Sequence, residues 1–505
     1  MEALVTEPEQ SSRNAIGFVD YDDEERTGGR RSSTSCIVVC EHARPPRGTY
    51  LRIANPVAKY WFIGRVIDGP FTTQTPGPYY IVELTSMILD GQRGAVRNRP
   101  DPATPVSLLD PKEVQGYIGT IGDFKVGCLV GQRQVEVALD SSTLNRHIGI
   151  FGTTGSGKSN SLQVLAEEIS HSKRSVLIFD IEGEYVGMNQ PTDTLQSLLA
   201  EFGKKPAGVK DFHVYVPAPN NSRNVDAKKF GIPFADIDLE IFSEVLGLTP
   251  LERIYMLDIA RKAKENSGAF QPYEIGNVLK VLKKRIDAQL EKASLPEAVA
   301  EAHMALYTKL SMVYNSRVVD AHQAGEVYDR ISPEALCVPS RITVIDLSES
   351  SDIVRNVTIS HMLKEVFRYK TRVIESAPIL IFIEEIHTFL SKAKRKTMTA
   401  TLTMLTEMAR QGRKRGIGLG LVSQQPALVP SELIELCNTR LMHRVSSEPN
   451  IEVLRKSTGN VPESLWSLLP SLGNGEVLIS SPKFLHSVIT QIRPNMSKRL
   501  RTENG

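Results

Sequence analysis

Residues 146–170 read RHIGIFGTTGSGKSNSLQVLAEEIS, and the rest of the chain is organised around them. The centre, Gly152, Thr153, Thr154, Gly155, Ser156, Gly157, Lys158 and Ser159, fits G-x-x-x-x-G-K-[ST] at every fixed position. Residues 147–151 form a short, mostly apolar run suited to a buried strand, and residues 158–170 have helical spacing with neither Gly nor Pro. Nucleotide chemistry needs this order. The glycines let the backbone curl so that successive N–H groups point at one cluster of phosphate oxygens. The helix that follows turns its positive end to the same anion. Lys158 would then reach the β- and γ-phosphates, the Ser159 hydroxyl would take one position on Mg2+, and Asn160 closes the nucleotide-binding set. By chance the pattern arises in roughly 2% of chains of this length. The expected ligands are ATP and Mg2+.

At 505 residues, two or three domains are expected. The composition is that of a globular chain, and 60 basic against 58 acidic residues leave a net charge of +2, so nucleic-acid contact would need a local basic patch. The five cysteines, Cys36, Cys40, Cys128, Cys337 and Cys437, are scattered and without a CxxC pair, which suggests reduced thiols. Cys36, Cys40 and His42 lie close together, but two cysteines in a strand-like run are more often packing than zinc ligands. No apolar run approaches the roughly 20 residues of a membrane helix, and the acidic, polar start is no signal peptide. A cytoplasmic protein with no membrane contact is expected.

Residues 1–13 read as disordered. From 14 to 140, short β-rich runs (15–21, 35–42, 49–55, 60–68, 79–89, 118–124 and 134–140) alternate with Gly, Pro and Asp, which predicts a small barrel or sandwich. The barrel is preferred because closure removes exposed edges. Residues 97–111 read as a proline-rich loop inside it. An α/β core follows in two parts, 141–235 and 331–480, with strands separated by helices and therefore a doubly wound, mainly parallel sheet. Between them, 236–330 reads as a helical insertion, with Thr249-Pro250 as a helix start. Residues 481–505 read as a C-terminal tail.

Hydrolysis needs acids at a strand end. The run 379–383 is followed at once by Glu384 and Glu385; one can orient Mg2+ and its waters while the other activates the attacking water. Asp180, which ends the strand-like run 175–180, is the rival metal acid.

The set HIGIFGTTGSGKSN (147–160), VLIFDIEGEY (176–185), ILIFIEEIH (379–387) and ARQGRKRGIGLGLVSQQP (409–426), with the final strand, resembles the HerA branch of the HerA–FtsK superfamily over about residues 14–490. The resemblance implies a RecA-like P-loop NTPase core behind an N-terminal HAS-type barrel, assembled as a homohexamer that moves double-stranded DNA through its channel. It implies that Lys158 and Ser159 serve phosphate and metal, Glu384 is the magnesium-side acid, Glu385 the catalytic glutamate and Gln424 the γ-phosphate sensor. It also implies an arginine completing the site at a subunit boundary, with Arg410 and Arg146 as candidates and Arg413 and Arg415 close enough to compete. Where Glu384 stands, many P-loop enzymes have Asp. In this superfamily the segment after the acidic strand faces the DNA, which here places Lys392, Lys394, Arg395 and Lys396 in the channel. Partners implied by the family are a NurA-like nuclease in DNA-end repair, or nuclease or sirtuin-like effectors in antiviral defence. The alternative is a nucleotide-gated ring whose main task is to assemble an effector.

Overall fold

The computed structural model describes residues 14–21, 34–55, 57–72, 77–144, 146–267, 273–292, 296–320, 328 and 330–500. The expected disordered start, 1–13, lies outside them.

Seven N-terminal strands come first: β1 (Gly17–Asp20), β2 (Ser35–Cys40), β3 (Tyr50–Ala54), β4 (Tyr60–Phe71), β5 (Tyr79–Leu89), β6 (Gln92–Gly94) and β7 (Pro105–Leu108). Six of them, in the order β2-β1-β7-β3-β4-β5, close into an antiparallel barrel when β5 pairs back onto β2; β6 is a hairpin appendage on β5. Burial alternates residue by residue along β5, so one face of its pleat packs inward onto Val38, Ile53, Phe62 and Val106. Cys36 and Cys40 are buried in that packing as free thiols. One expectation fails here. The stretch 97–111, read as a loop, supplies β7, which sits between β1 and β3 and closes the barrel. Its proline stands first in a four-residue strand, where a missing N–H costs least.

A helix, Pro111–Ile118, follows, started by a capping box in which Asp110 accepts from Lys112 N–H and Glu113 reaches back to the Asp110 N–H. It leads to the hairpin β8 (Phe124–Leu129) and β9 (Gln132–Leu139). The runs 118–124 and 134–140 were expected in the barrel. Instead, 118–124 is mostly helix end and turn, and the hairpin joins the larger sheet.

The larger sheet contains β10 (Ile148–Phe151), β11 (Ser175–Asp180), β12 (Phe212–Pro217), β13 (Lys228–Phe230), β14 (Ile342–Asp346), β15 (Ile379–Ile383), β16 (Ile417–Ser423), β17 (Thr439–Met442), β18 (Glu476–Ser480) and β19 (Val488–Ile492). Its order is β13-β12-β14-β11-β15-β16-β10-β17-β18-β19-β8-β9, parallel from β13 to β17 and antiparallel beyond. Consecutive residues of the central strands enter different cores. Ile381 and Ile383 face the helices Asp352–Arg372 and Thr399–Arg415 and the helical insertion; Leu380 and Phe382 face the helix Lys158–Ser170. Both faces are therefore covered, which is why these strands read as continuous apolar runs.

The insertion holds helices Leu239–Val245, Pro250–Ser267, Ile275–Lys292 and Glu297–Asn315. Thr249 starts the second as expected: its hydroxyl accepts from Glu252 N–H at 3.3 Å, while Glu252 accepts from Thr249 N–H at 2.8 Å.

The expected tail is structured over its described residues, 481–500. It contributes β19, residues 493–497 lie against the helix Lys158–Ser170, and the N–H groups of Lys498 and Leu500 donate to the carbonyls of Gln190 and Glu184. Arg493, fully buried, donates to Glu167 at 2.8 Å and Glu168 at 2.9 Å. No helix among the described residues is long and apolar enough to cross a membrane.

Candidate functional site

Strands β10, β11, β15 and β16 run parallel, so their carboxyl ends gather at one edge of the sheet. That edge carries 152–160, Asp180, Glu384, Glu385 and Gln424. Gly155 and Gly157 have φ of +72° and +107°, which a side chain would resist; a Cβ on Gly152 would lie 2.5 Å from the Cβ of His443. The helix Lys158–Ser170 begins without a side-chain cap, leaving its first N–H groups to an outside anion. Lys158 is buried, its ammonium 3.0 Å from the Thr153 carbonyl. Burial draws its pKa below the ordinary value, against the pull of Glu385, Glu384 and Glu184.

His443, which the sequence analysis does not single out and which directly follows β17, supports this loop from beneath. Its Nδ1 lies 2.9 Å from the Ser156 carbonyl and its Nε2 2.9 Å from the Ser161 hydroxyl. Burial lowers its pKa to about 3, so the ring is neutral. The neighbouring Arg444 carbonyl accepts from both the N–H and the hydroxyl of Thr153, at 2.9 and 3.1 Å.

The two adjacent glutamates have different surroundings. Glu384 is buried: Oε1 accepts from the Tyr185 hydroxyl at 2.8 Å and Oε2 from Ile181 N–H at 3.2 Å. Burial, then Asp180 nearby, raises its pKa well above the usual carboxylate range. Glu385 begins a short helix with φ of +41°. Its Oε2 accepts from Gln424 N–H at 3.2 Å and lies 3.1 Å from His387 Nδ1. Burial would raise its pKa, but His387, Lys158 and the Gln424 N–H together hold it below the ordinary value. A carboxylate kept ionised beside the lysine is what a base for water activation requires. The side chain of Gln424 closes the circuit, accepting from the Thr154 hydroxyl at 2.6 Å.

Asp180, the rival acid, is engaged in holding a turn. Its carboxylate collects the N–H groups of Gly183 (2.7 Å), Glu184 (3.1 Å) and Tyr185 (2.9 Å). Burial lifts it to about 7 despite those donors. That turn presents Glu184, whose Oε2 is buried without a hydrogen-bond partner. Mg2+ is usually held by one or two carboxylates plus phosphates and water. An orphaned carboxylate oxygen near Lys158 and Glu384, with a free hydroxyl on Ser159 among the described residues, fits such an ion.

The other expected site residues fall elsewhere. Asn160 faces away from the loop: its side chain donates to the Arg493 carbonyl at 2.9 Å and accepts from Asn495 N–H at 3.0 Å, so it anchors segment 493–500. Arg146 and Arg410 sit at the opposite edge of the sheet, next to His147 and Ala409, which are joined by a 2.6 Å bond from His147 Nε2 to the Ala409 carbonyl. Five residue steps of about 3.3 Å separate that edge from Gly152, about 16 Å in all, beyond an arginine's reach. Of the competitors, Arg415 is held by the Thr371 hydroxyl at 3.0 Å and lies over Phe367, while Arg413 is exposed. In the basic segment, Lys392 and Lys396 are exposed, but Lys394 donates to the Thr388 carbonyl at 3.0 Å and Arg395 pairs with Glu432. Only half of the expected cationic patch is uncommitted.

A family profile described as "Helicase HerA, central domain" matches residues 124–366, beginning at β8. The chain is 26% identical over 413 residues to the DNA double-strand break repair helicase HerA of Sulfolobus acidocaldarius, covering 80% of this chain and 76% of the relative. It is 25% identical over 421 residues to the helicase of that name from Sulfurisphaera tokodaii, covering 80% and 76%. In fold it is similar to the plasmid coupling protein TrwB in complex with ADP and Mg2+, at a TM-score of 0.51 and 14% identity, covering 78% of this chain and 94% of that one.

Proposed function

The chain is a HerA-type P-loop ATPase, and from that premise we propose that it is a homohexameric motor that uses ATP hydrolysis to translocate double-stranded DNA. The observation that carries this reading is the circuit at the sheet's carboxyl edge, in which Thr154, Gln424 and Glu385 are linked hand to hand beside Lys158. Lys158 and the uncapped helix end hold the phosphates. Ser159 and Glu384, with Glu184 alongside, face the Mg2+ side; when bound, the ion screens phosphate charge and fixes the triphosphate's orientation. Glu385, held ionised, takes the proton of the attacking water. Gln424 exchanges its Thr154 partner for the γ-phosphate and so registers whether that phosphate is present.

Developing phosphoryl charge calls for an arginine. Arg410 and Arg146 lie too far from their own P-loop to supply it, which supports donation by a neighbouring copy in a ring. Lys392 and Lys396, exposed beyond the carboxyl end of β15, are the cations free to meet a DNA backbone. The barrel would serve as the docking collar for a NurA-like nuclease or another effector, in repair or in defence.

The test is displacement of a third strand from duplex DNA. The wild type with ATP should strip the third strand, and Glu385→Gln should bind ATP and leave it in place. A wild type that hydrolyses ATP at a rate indifferent to duplex and never strips the third strand would remove the motor reading.

A further inference from the structure

The residues between the catalytic glutamate and the basic segment form one unbroken chain of direct contacts. Glu385 is held in a backbone conformation that side chains resist, φ +41°, by Thr388, whose N–H and hydroxyl both donate to the Glu385 carbonyl at 2.8 and 2.9 Å. Its carboxylate is placed by His387 Nδ1, 3.1 Å away, and the same ring nitrogen lies 3.1 Å from the Ser423 hydroxyl, at the end of β16 and next to Gln424. The far side of the turn is held from outside: the Thr388 carbonyl accepts from the Lys394 ammonium at 3.0 Å. One lysine of the basic segment thus bonds the residue that fixes the backbone of Glu385.

We propose that the turn 385–390 couples the basic segment to the active site, with Lys394 as the sensor of a nucleic-acid phosphate and His387 and Thr388 as positioning residues for Glu385. The proposal rests on the reading of segment 392–396 as DNA-facing. A phosphate oxygen and the Thr388 carbonyl compete for the same ammonium, and the charged acceptor forms the stronger bond. When Lys394 leaves, Thr388 loses its outer restraint and the turn can relax. His387 then carries the placement of the carboxylate. The same carboxylate oxygen, Oε2, also accepts from the N–H of Gln424, which in the proposed reading answers to the nucleotide, so the glutamate is addressed from both ligands.

The experiment compares ATPase rates with and without duplex DNA in the wild type, Lys394→Met, His387→Ala and His387→Asn, alongside DNA affinity and nucleotide KM. In Lys394→Met the turn is already released: the rate without DNA should rise toward the stimulated rate, and DNA should add little, while Lys392 and Lys396 preserve binding. In His387→Ala the stimulated kcat should fall about tenfold or more at unchanged KM. In His387→Asn, which keeps an N–H donor at the position of Nδ1, much of that loss should be recovered. Normal stimulation in both Lys394→Met and His387→Ala, in a protein whose wild type DNA does stimulate, would overturn the coupling and leave the motor intact. Equal loss in His387→Asn and His387→Ala would reduce His387 to packing and likewise overturn it. A wild type that duplex never stimulates would instead sink the motor reading, and the coupling with it.

Discussion

At the carboxyl ends of β11 and β15 three carboxylates, Glu184, Glu384 and Glu385, gather around the buried Lys158 with Asp180 beside Glu384, whereas at the amino end of β10 two arginines have no carboxylate partner among the described residues. The first edge is over-supplied with negative charge and closely held in geometry: both oxygens of Asp180 and both of Glu384 have a named donor, and His443 braces the loop from below. In the proposed reading one chain would supply phosphate cradle, base and γ-phosphate sensor, while Arg146 and Arg410 lie out of reach of its own γ-phosphate position. In the ring proposed above, the two edges would act in two different copies of the chain.

The largest effects are expected at the acidic edge. Glu385→Gln should retain ATP binding and lose turnover by about a hundredfold or more, since it removes the proton acceptor and keeps the shape. Lys158→Ala should weaken nucleotide binding itself. Asp180→Asn should act differently, lowering stability through its three backbone donors. If Asp180→Asn folds as the wild type and abolishes hydrolysis while Glu385→Gln turns over normally, the carboxylate roles have been exchanged.

His443 tests the bracing beneath the same edge. Its pKa is about 3 in the fold against 6.5 unperturbed, so below pH 6.5 the unfolded chain binds a proton that the native protein refuses. Stability should therefore fall as pH drops from 6.5 toward 3, with this residue contributing about 1.4 kcal/mol per unit. Denaturant titrations at pH 7, 6 and 5 should show a shallower decline in His443→Gln. The same slope in both proteins would mean that the ring is not held neutral.

Smaller changes are expected in the basic segment. Lys392→Ala and Lys396→Ala should each flatten the dependence of log K for duplex DNA on log salt by about 0.9, if each cation meets one phosphate. Arg395→Ala should change it less, because Arg395 is paired with Glu432. An unchanged slope in the double lysine variant would put this segment on the outside of the ring.

The difference between the edges also explains what was legible in the sequence. The nucleotide loop is contiguous and its strand and helix adjoin it, so order alone identifies it; the acid pair was legible because a five-residue apolar strand ends abruptly in two glutamates. His443, 285 residues beyond Lys158 in sequence, touches the loop only because β17 pairs with β10, and no spacing announces that. Of the hairpin β8–β9 only β9 was legible as a strand, since the run 118–124 stops where β8 begins, and the hairpin's partner β19 lies more than 350 residues away. Strand β7 was hidden by its four-residue length and its proline. Segment 493–500 was hidden because its buried groups are polar: Arg493 and Ser497 are inside only because Glu167, Glu168 and Gln163 receive them.

The assignment of the two edges to two copies is tested most directly by mixing subunits. Arg410→Ala and Glu385→Gln should each bind ATP and fail to hydrolyse it when assembled alone. Rings formed by exchange between them contain interfaces that join an intact Glu385 to an intact Arg410, and those interfaces should hydrolyse ATP. Recovery of activity in mixed rings, rising and falling with the mixing ratio, is the predicted result. No recovery in rings whose subunits demonstrably exchange would place the required arginine within the same chain and contradict the account.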